Sequence, residues 1–147
     1  MFGLCFLSLI LAAAAGSLMA VQGSVNALLG KISGLWEATF IVHAVGVVFA
    51  GTLLIFLGSG GFTRLGNVPW YAWTGGLLGV LIIFGVAKSI PKVGVAPATT
   101  AIVFAQVLTA TVIDHFGLFG MARLPFTGWR IVGGLLLTAG VWFLMKR

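Results

Sequence analysis

The sequence predicts an all-α polytopic membrane protein that consists of one domain with five transmembrane helices. Of the 147 residues, 61% are hydrophobic and only 7% are charged, and the mean hydropathy is +1.21. A soluble domain carries about 25% charged residues, so this chain could not build a surface that faces water. Five apolar runs meet the length of about 20 residues that a helix needs to cross the hydrocarbon core. They span residues 2–30, 36–58, 70–90, 93–114 and 128–145.

The first run carries a stripe of small residues beside two amides. The stripe recurs every three or four positions, at Ala13, Gly16, Ala20, Gly23, Ala27 and Gly30. In lipid, such a stripe lets two helix backbones approach closely. Gln22 and Asn26 are four residues apart and therefore share a face of the helix. Because hydrocarbon offers amides no partner, these two either hydrogen-bond to a neighbouring helix or line a polar cavity.

The second run contains two ionisable side chains, which are rare inside membranes and by default mark function. Glu37 lies one turn into the helix, where it is either a solvated end charge or a carrier for protons or cations. His43 lies about 10 Å from the membrane side that holds Lys31, at a rise of about 1.5 Å per residue. It is either a structural imidazole or a proton-coupling group, since histidine titrates near neutral pH.

The third and fifth runs are rich in glycine, and tryptophans lie near the span ends. Pairs of glycines predict helix packing, at Gly75 and Gly79 in the third run and at Gly133 and Gly140 in the fifth. We expect Pro91 to end the third helix, because proline cannot continue one. Most of the tryptophans fit an aromatic belt. Trp73 lies one turn inside its span and either belongs to this belt or faces a cavity.

The fourth run adds further polar groups close to the middle of the membrane. By the same rise per residue, Gln106 lies about 20 Å and Gln22 about 12 Å from the Lys31 side. Thr99 and Thr109 can share a face with Gln106. Several convergent polar groups near the midplane are typical of a transporter site. Asp114 closes this helix on the opposite side, as a gate or as a structural helix end.

The basic residues lie near the ends of the spans and are divided almost evenly between the two sides. That placement fits lipid headgroups and topology rather than a nucleic-acid surface. One side collects Lys31, Lys88, Lys92, Lys146 and Arg147, and the other Arg64, Arg123 and Arg130. The rule that basic loops stay in the cytoplasm then places the N-terminus outside. Because the bias is slight, we also hypothesise insertion in both orientations.

The sequence contains no constellation that would support catalysis. There is no Ser/His/Asp grouping with a supporting loop, no phosphate-binding loop, no pair of acids and no metal-ligand spacing. The single cysteine, Cys5, excludes an internal disulfide. We therefore expect neither an enzyme nor a bound metal or cofactor.

Several short motifs together resemble a known family. These are Gln22-x-x-x-Asn26, Gly75-Gly76-x-x-Gly79 after Trp73, Pro91-Lys92-Val93-Gly94, Gln106, and Ile113-Asp114-His115-Phe116-Gly117. From about Gly16 to the C-terminus, the chain resembles the YdcZ-type five-helix branch of the drug/metabolite transporter (DMT) superfamily. The resemblance implies an antiparallel homodimer in the bacterial inner membrane, related to small multidrug transporters, with a polar site built by both copies. The chain departs from the family pattern at Glu37, His43 and Ala105.

The sequence therefore predicts a membrane transporter that moves a small solute by alternating access. The predicted solute contacts are Gln22, Asn26, His43, Trp73, Gln106 and Thr109, with Glu37 and Asp114 for coupling or gating and with Gly16, Gly23, Gly75, Gly79, Gly133 and Gly140 for helix packing. Amides rather than an acid in the first helix favour a polar neutral, zwitterionic or anionic solute over a lipophilic cation. The alternatives are a small dual-topology ion channel and a non-transporting assembly subunit.

Overall fold

The computed structural model describes residues 2–58 and 60–145 and contains the five predicted helices. They are α1 (Phe2–Ser33), α2 (Leu35–Leu57), α3 (Thr74–Val93), α4 (Val95–Phe116) and α5 (Gly128–Met145). No strand occurs in these two ranges, and the all-α class is confirmed. The side chain of Cys5 and the residues Lys146 and Arg147 lie outside the described part of the chain.

Four of the helices, α1 to α4, are long and apolar enough to cross a membrane. The shorter helix, α5, has 18 residues and is therefore about 27 Å long. That is slightly less than the hydrocarbon thickness of about 30 Å. The chain is thus an integral membrane protein with four clear candidate spans and one short apolar helix.

The chain divides into two compact units, Met1–Lys92 and Val93–Arg147. In the first unit, the buried apolar side chains are small except for one isoleucine: Ala27, Ala38, Ala87 and Ile90. Most leucines, valines and phenylalanines of the described residues are exposed. This pattern suits a protein dissolved in lipid, where large apolar side chains face the acyl chains and small ones bring the helix backbones together.

Two pairs of consecutive helices are each joined by a single glycine. Gly34, between α1 and α2, has φ 101° and ψ 151°, and Gly94, between α3 and α4, has φ 96° and ψ 161°. A residue with a Cβ atom is strained in this region of backbone space. The N–H groups of Ala38 and Ala98 donate to the carbonyls of these glycines at 3.0 and 3.2 Å. Both alanines are buried, so the two turns have the same local design.

The end of the third helix differs from the prediction. α3 continues through Pro91 and ends at Val93. A proline removes one N–H and crowds the carbonyl four residues earlier, and in the last turn of a helix this costs only one hydrogen bond. Gly94, with its positive φ, is the residue that terminates α3. At the other end, Trp70–Trp73 forms a short 3-10 turn, so the regular helix begins at Thr74.

Candidate functional site

One face of α1 contacts both other helices of the first unit. A Cβ atom added at Gly23 would lie 3.0 Å from Cγ1 of Val86 on α3. A Cβ atom at Gly30 would lie 3.0 Å from Cδ2 of Leu35 on α2. Asn26 is three residues after the first glycine and four before the second, so it shares their face. The amide of Asn26 therefore belongs to the part of α1 that packs against α2 and α3.

Asn26 is deeply buried, and its side chain has no hydrogen-bond partner among the described residues. Its relative exposure is 5%, and its side chain bonds to no residue within the described ranges. Within those ranges, every side-chain nitrogen or oxygen atom that is completely buried has a hydrogen-bond partner. The amide atoms of Asn26 are therefore not completely sealed from the surface of the single chain. Leaving a buried amide unpaired costs about 1–3 kcal/mol, so we expect water, a solute or a second copy of the chain to satisfy it.

His43 is a residue of α2 whose ring faces α3. Its two ring nitrogens have different surroundings. Nδ1 lies 2.8 Å from the carbonyl oxygen of Thr39. Since a carbonyl only accepts, Nδ1 carries the proton, and the neutral ring leaves Nε2 as an acceptor. A Cβ atom added at Gly79 would lie 3.5 Å from Nε2. One nitrogen thus has the backbone partner expected of a structural histidine, and the other faces a glycine of α3.

Thr39 fixes the backbone that holds this ring. Its side chain is 3% exposed, and its Oγ1 donates to the carbonyl of Leu35 at 2.7 Å. Because the hydroxyl and the imidazole both bond to carbonyls one turn earlier in α2, the position of the His43 ring is set by the helix itself. The ring is half-buried, which leaves part of it accessible.

The other predicted solute contacts lie on exposed surface. Gln22 is exposed, although Asn26, four residues later on the same helix, is buried. Trp73 lies in the 3-10 turn before α3 and is 61% exposed. In the second unit, Gln106 and Thr109 are exposed on α4. Neither Gln22 nor Gln106 forms a side-chain hydrogen bond within the described ranges, so their role in binding stays a prediction.

Glu37 lies in the first turn of α2 and is exposed. Its carboxylate folds back over Gly34, so closely that a Cβ atom there would collide with it. A negative charge is favourable near the N-terminus of a helix, where backbone N–H groups are unpaired. This position fits the end-charge interpretation of Glu37, and its coupling role stays a prediction.

An aromatic stack that the sequence analysis missed joins α2 to α3. The rings of Trp36 and Phe84 are stacked, with centroids 4.3 Å apart and an angle of 26° between their planes. The Lys88 Nζ atom lies 5.5 Å from the centroid of Phe84, within the range of a cation–π interaction. The spacing of Phe84 and Lys88, four residues apart on α3, was visible in the sequence. The contact of Phe84 with Trp36 on the neighbouring helix was not visible in the sequence.

In the second unit, Asp114 has a basic partner. A carboxylate oxygen of Asp114 lies 3.4 Å from a guanidinium nitrogen of Arg130. Arg130 also donates to the carbonyl of Leu124 at 3.2 Å, and the N–H of Leu124 donates to the carbonyl of Asp114 at 2.7 Å. The pair is about one-third exposed, so its strength is modest. It ties the end of α4, the following loop and α5 together, and a gating role for Asp114 stays a prediction.

His115 anchors the same loop. Its Nδ1 accepts the backbone N–H of Phe126 at 3.2 Å, and its carbonyl accepts the Arg123 Nε–H at 3.1 Å. The histidine therefore holds the loop between α4 and α5 from both sides. Within the described ranges, no three His, Cys, Asp or Glu residues come close enough together to hold a metal ion.

The predicted packing glycines differ in their surroundings. Gly23 and Gly79 lie against a neighbouring helix, as described above. A Cβ atom would meet nothing within 4 Å at Gly16, Gly75, Gly133 or Gly140. The faces that carry these four glycines are open in the single chain, and their packing role stays a prediction.

Comparison with known proteins identifies one family. The family model DMT_YdcZ, described as "Putative inner membrane exporter, YdcZ", matches residues 7–143. This range is nearly the whole chain and includes every residue proposed above for solute binding, gating or packing. No curated protein and no solved structure matches the chain.

Proposed function

Because the chain belongs to the YdcZ family of the DMT superfamily, we propose that it exports a small polar solute by alternating access as an antiparallel homodimer. The family is one of inner membrane exporters and not a family of enzymes. The localisation to the inner membrane follows from the family and from the long apolar helices.

The observation that carries this proposal is the amide of Asn26. A subunit that only held other proteins together would be expected to pair its buried amides between helices. Asn26 is 5% exposed and unpaired within the described ranges, which leaves both its donor and its acceptor for a bound molecule. Polar groups that converge inside membrane helices are typical of transporter sites.

The chemistry of the site indicates the class of solute. The proposed contacts supply neutral amides and an imidazole, and the first helix carries no acid. A polar neutral, zwitterionic or anionic solute could use these hydrogen bonds, whereas a lipophilic cation would find no counter-charge on α1. Glycines with open faces, such as Gly75 and Gly133, would let helices move past one another between the two access states.

Export can be tested with proteoliposomes loaded with a defined mixture of amino acids, polyols, sugars and carboxylates. We expect one or a few members to leave at a rate that saturates with concentration, as followed by mass spectrometry of the outer solution. Liposomes without protein are the control. Proton-driven exchange of quaternary ammonium ions instead would contradict the proposed solute class. Currents of thousands of ions per second would indicate the ion channel.

Two exposed amides support the homodimer. Gln22 and Gln106 are exposed in the single chain, and a bare amide in hydrocarbon costs several kcal/mol. A second copy of the chain could supply the missing partners. The nearly even division of basic residues between the two membrane sides would allow that copy to insert the other way up.

Cross-linking can test the antiparallel arrangement. In a Cys5→Ser background, one tagged copy carries Lys31→Cys and a second, differently tagged copy carries Arg64→Cys. Within one chain, the predicted spans place Lys31 and Arg64 on opposite sides of the membrane. In an antiparallel pair, Lys31 of one copy and Arg64 of the other therefore lie on the same side. We expect mixed cross-links between the two tagged copies. Cross-links only between identical positions would indicate a parallel pair.

A further inference from the structure

The first unit contains a hydrogen-bond acceptor that has no partner among the described residues. The Nδ1–H of His43 donates to the carbonyl of Thr39, so Nε2 of the neutral ring carries a lone pair. Gly79 is the residue that faces Nε2, and a glycine has no side chain that could donate. No donor reaches Nε2 from any residue within the described ranges.

We infer that Nε2 of His43 accepts a hydrogen bond from the transported solute and selects solutes that carry an N–H or O–H group. This inference rests on the proposed export function and adds a rule for the substrate. Alcohols and protonated or neutral amines satisfy the rule. Counterparts in which every O–H and N–H hydrogen is replaced by a methyl group do not satisfy it, because they have no hydrogen-bond donor.

The tautomer makes His43 selective. If the ring could rotate or exchange its proton between nitrogens, it could offer Nε2 as either donor or acceptor. The bond to the Thr39 carbonyl removes that freedom in the neutral ring, since a carbonyl cannot donate. Thr39 is itself held by its hydroxyl bond to Leu35. The neutral ring therefore presents a fixed acceptor toward α3.

A site built around a hydrogen bond rejects analogues that lack the matching group. When the analogue binds, the acceptor of the protein is left unpaired. The free-energy cost of burying this unpaired acceptor adds to the loss of the hydrogen bond itself. We therefore expect a discrimination of at least about tenfold between a solute and its methylated counterpart. The discrimination depends on access to Nε2, which no side chain at Gly79 covers.

The substitution Gly79→Ala tests this access. Its new methyl group would lie 3.5 Å from Nε2, which is an ordinary van der Waals distance, so the helices can stay in place. The methyl group would cover the acceptor with an apolar surface. Gly85→Ala is the matched control, because it makes the same change on the same helix where a Cβ atom meets nothing within 4 Å.

The experiment uses proteoliposomes loaded with three matched pairs of solutes. The pairs are ethylene glycol with its dimethyl ether, glycine with glycine betaine, and glycerol with its trimethyl ether. We expect the unmethylated member of at least one pair to leave at least tenfold faster. Gly79→Ala should reduce that export at least tenfold and remove the difference, and Gly85→Ala should behave like the unmodified protein.

The outcomes separate this inference from the proposed function. Equal export of both members of the transported pairs, or equal effects of the two alanine variants, would overturn the inference and leave export standing. No export of any solute, here and in the broader mixture, would overturn the proposed function itself.

A spectroscopic readout keeps the inference falsifiable if Gly79→Ala does not fold. The chain has two histidines, His43 and His115, so ¹⁵N-labelled histidine gives a spectrum that a His115→Gln variant assigns. We expect a proton on Nδ1 of His43, and a shift of the Nε2 resonance when the unmethylated solute is added. A proton on Nε2 in the neutral ring would overturn the inference.

Discussion

Replacing Asn26 by leucine is expected to abolish export while leaving the thermal stability of the protein unchanged or higher. Asn26 is 5% exposed, and its amide has no partner within the described ranges. Leucine has the same branched arrangement of four side-chain heavy atoms and carries no polar atoms, so the substitution removes an unpaired group. Replacing such a group by an apolar one is neutral or stabilising by about 1 kcal/mol. The solute, in contrast, loses its contact, and we expect export to fall by more than about tenfold.

Thermal unfolding of the purified protein and export from proteoliposomes are the two measurements for Asn26→Leu. Val25→Leu is the control, since Val25 is the preceding residue of α1 and is 57% exposed. It should change neither quantity. An Asn26→Leu protein that fails to fold would show that the amide is structural. Normal export by the folded variant would remove Asn26 from the site.

Replacing Gly23 by leucine is expected to disrupt the packing of the first unit. A Cβ atom at this position already lies 3.0 Å from Cγ1 of Val86 and 3.1 Å from Cδ1 of Ile90. For alanine, these neighbours need to move by a few tenths of an ångström. Leucine adds three more carbons at the same place, and overpacking of this kind costs about 1–3 kcal/mol or more. Because Ile90 belongs to the small buried set of this unit, we expect α1 and α3 to separate.

The loss is measured as a lower midpoint of thermal unfolding and as aggregation in size-exclusion chromatography. Gly23→Ala should lie between the unmodified protein and Gly23→Leu. Gly16→Leu is the matched control, because Gly16 belongs to the same small-residue stripe and a Cβ atom there meets nothing within 4 Å. It should leave the stability of the single chain unchanged. Equal losses for the two leucine variants would show that helix propensity, and not the contact with α3, decides the outcome.

The helices could be predicted from the sequence because the thickness of the membrane imposes a length on each apolar run. Their ends were harder to place. Pro91 was expected to stop α3, but a proline in the last turn costs little, and the positive φ of Gly94 ends the helix instead. Which residue adopts such a conformation depends on the turn that the two flanking helices need.

The candidate site could be predicted in its residue types and only partly in its geometry. Gln22 and Asn26 are four residues apart, which leaves them about 40° apart around α1. That difference is enough to bury one and expose the other. The rotation of α1 is set by the contacts of Gly23 and Gly30 with neighbouring helices. The contact of Gly23 with Val86 joins residues that are distant in the chain and is not encoded in any local pattern.

The same limit applies to the partners across α2 and α3. The stack of Trp36 on Phe84 and the approach of His43 to Gly79 both depend on how far one helix is shifted along the other. The spacing of residues along α2 or along α3 does not determine this shift. The sequence could therefore name His43 as a candidate, but it could not show which of its nitrogens is free.

The single-glycine turns at Gly34 and Gly94 have a consequence for how the protein is made. A connection of one residue leaves no polar loop between its two helices, so we expect the second helix of each pair to insert directly after the first. Both turns depend on a backbone conformation that other residues resist. A side chain at either position would therefore act first on membrane insertion of the nascent chain, before any solute could be carried.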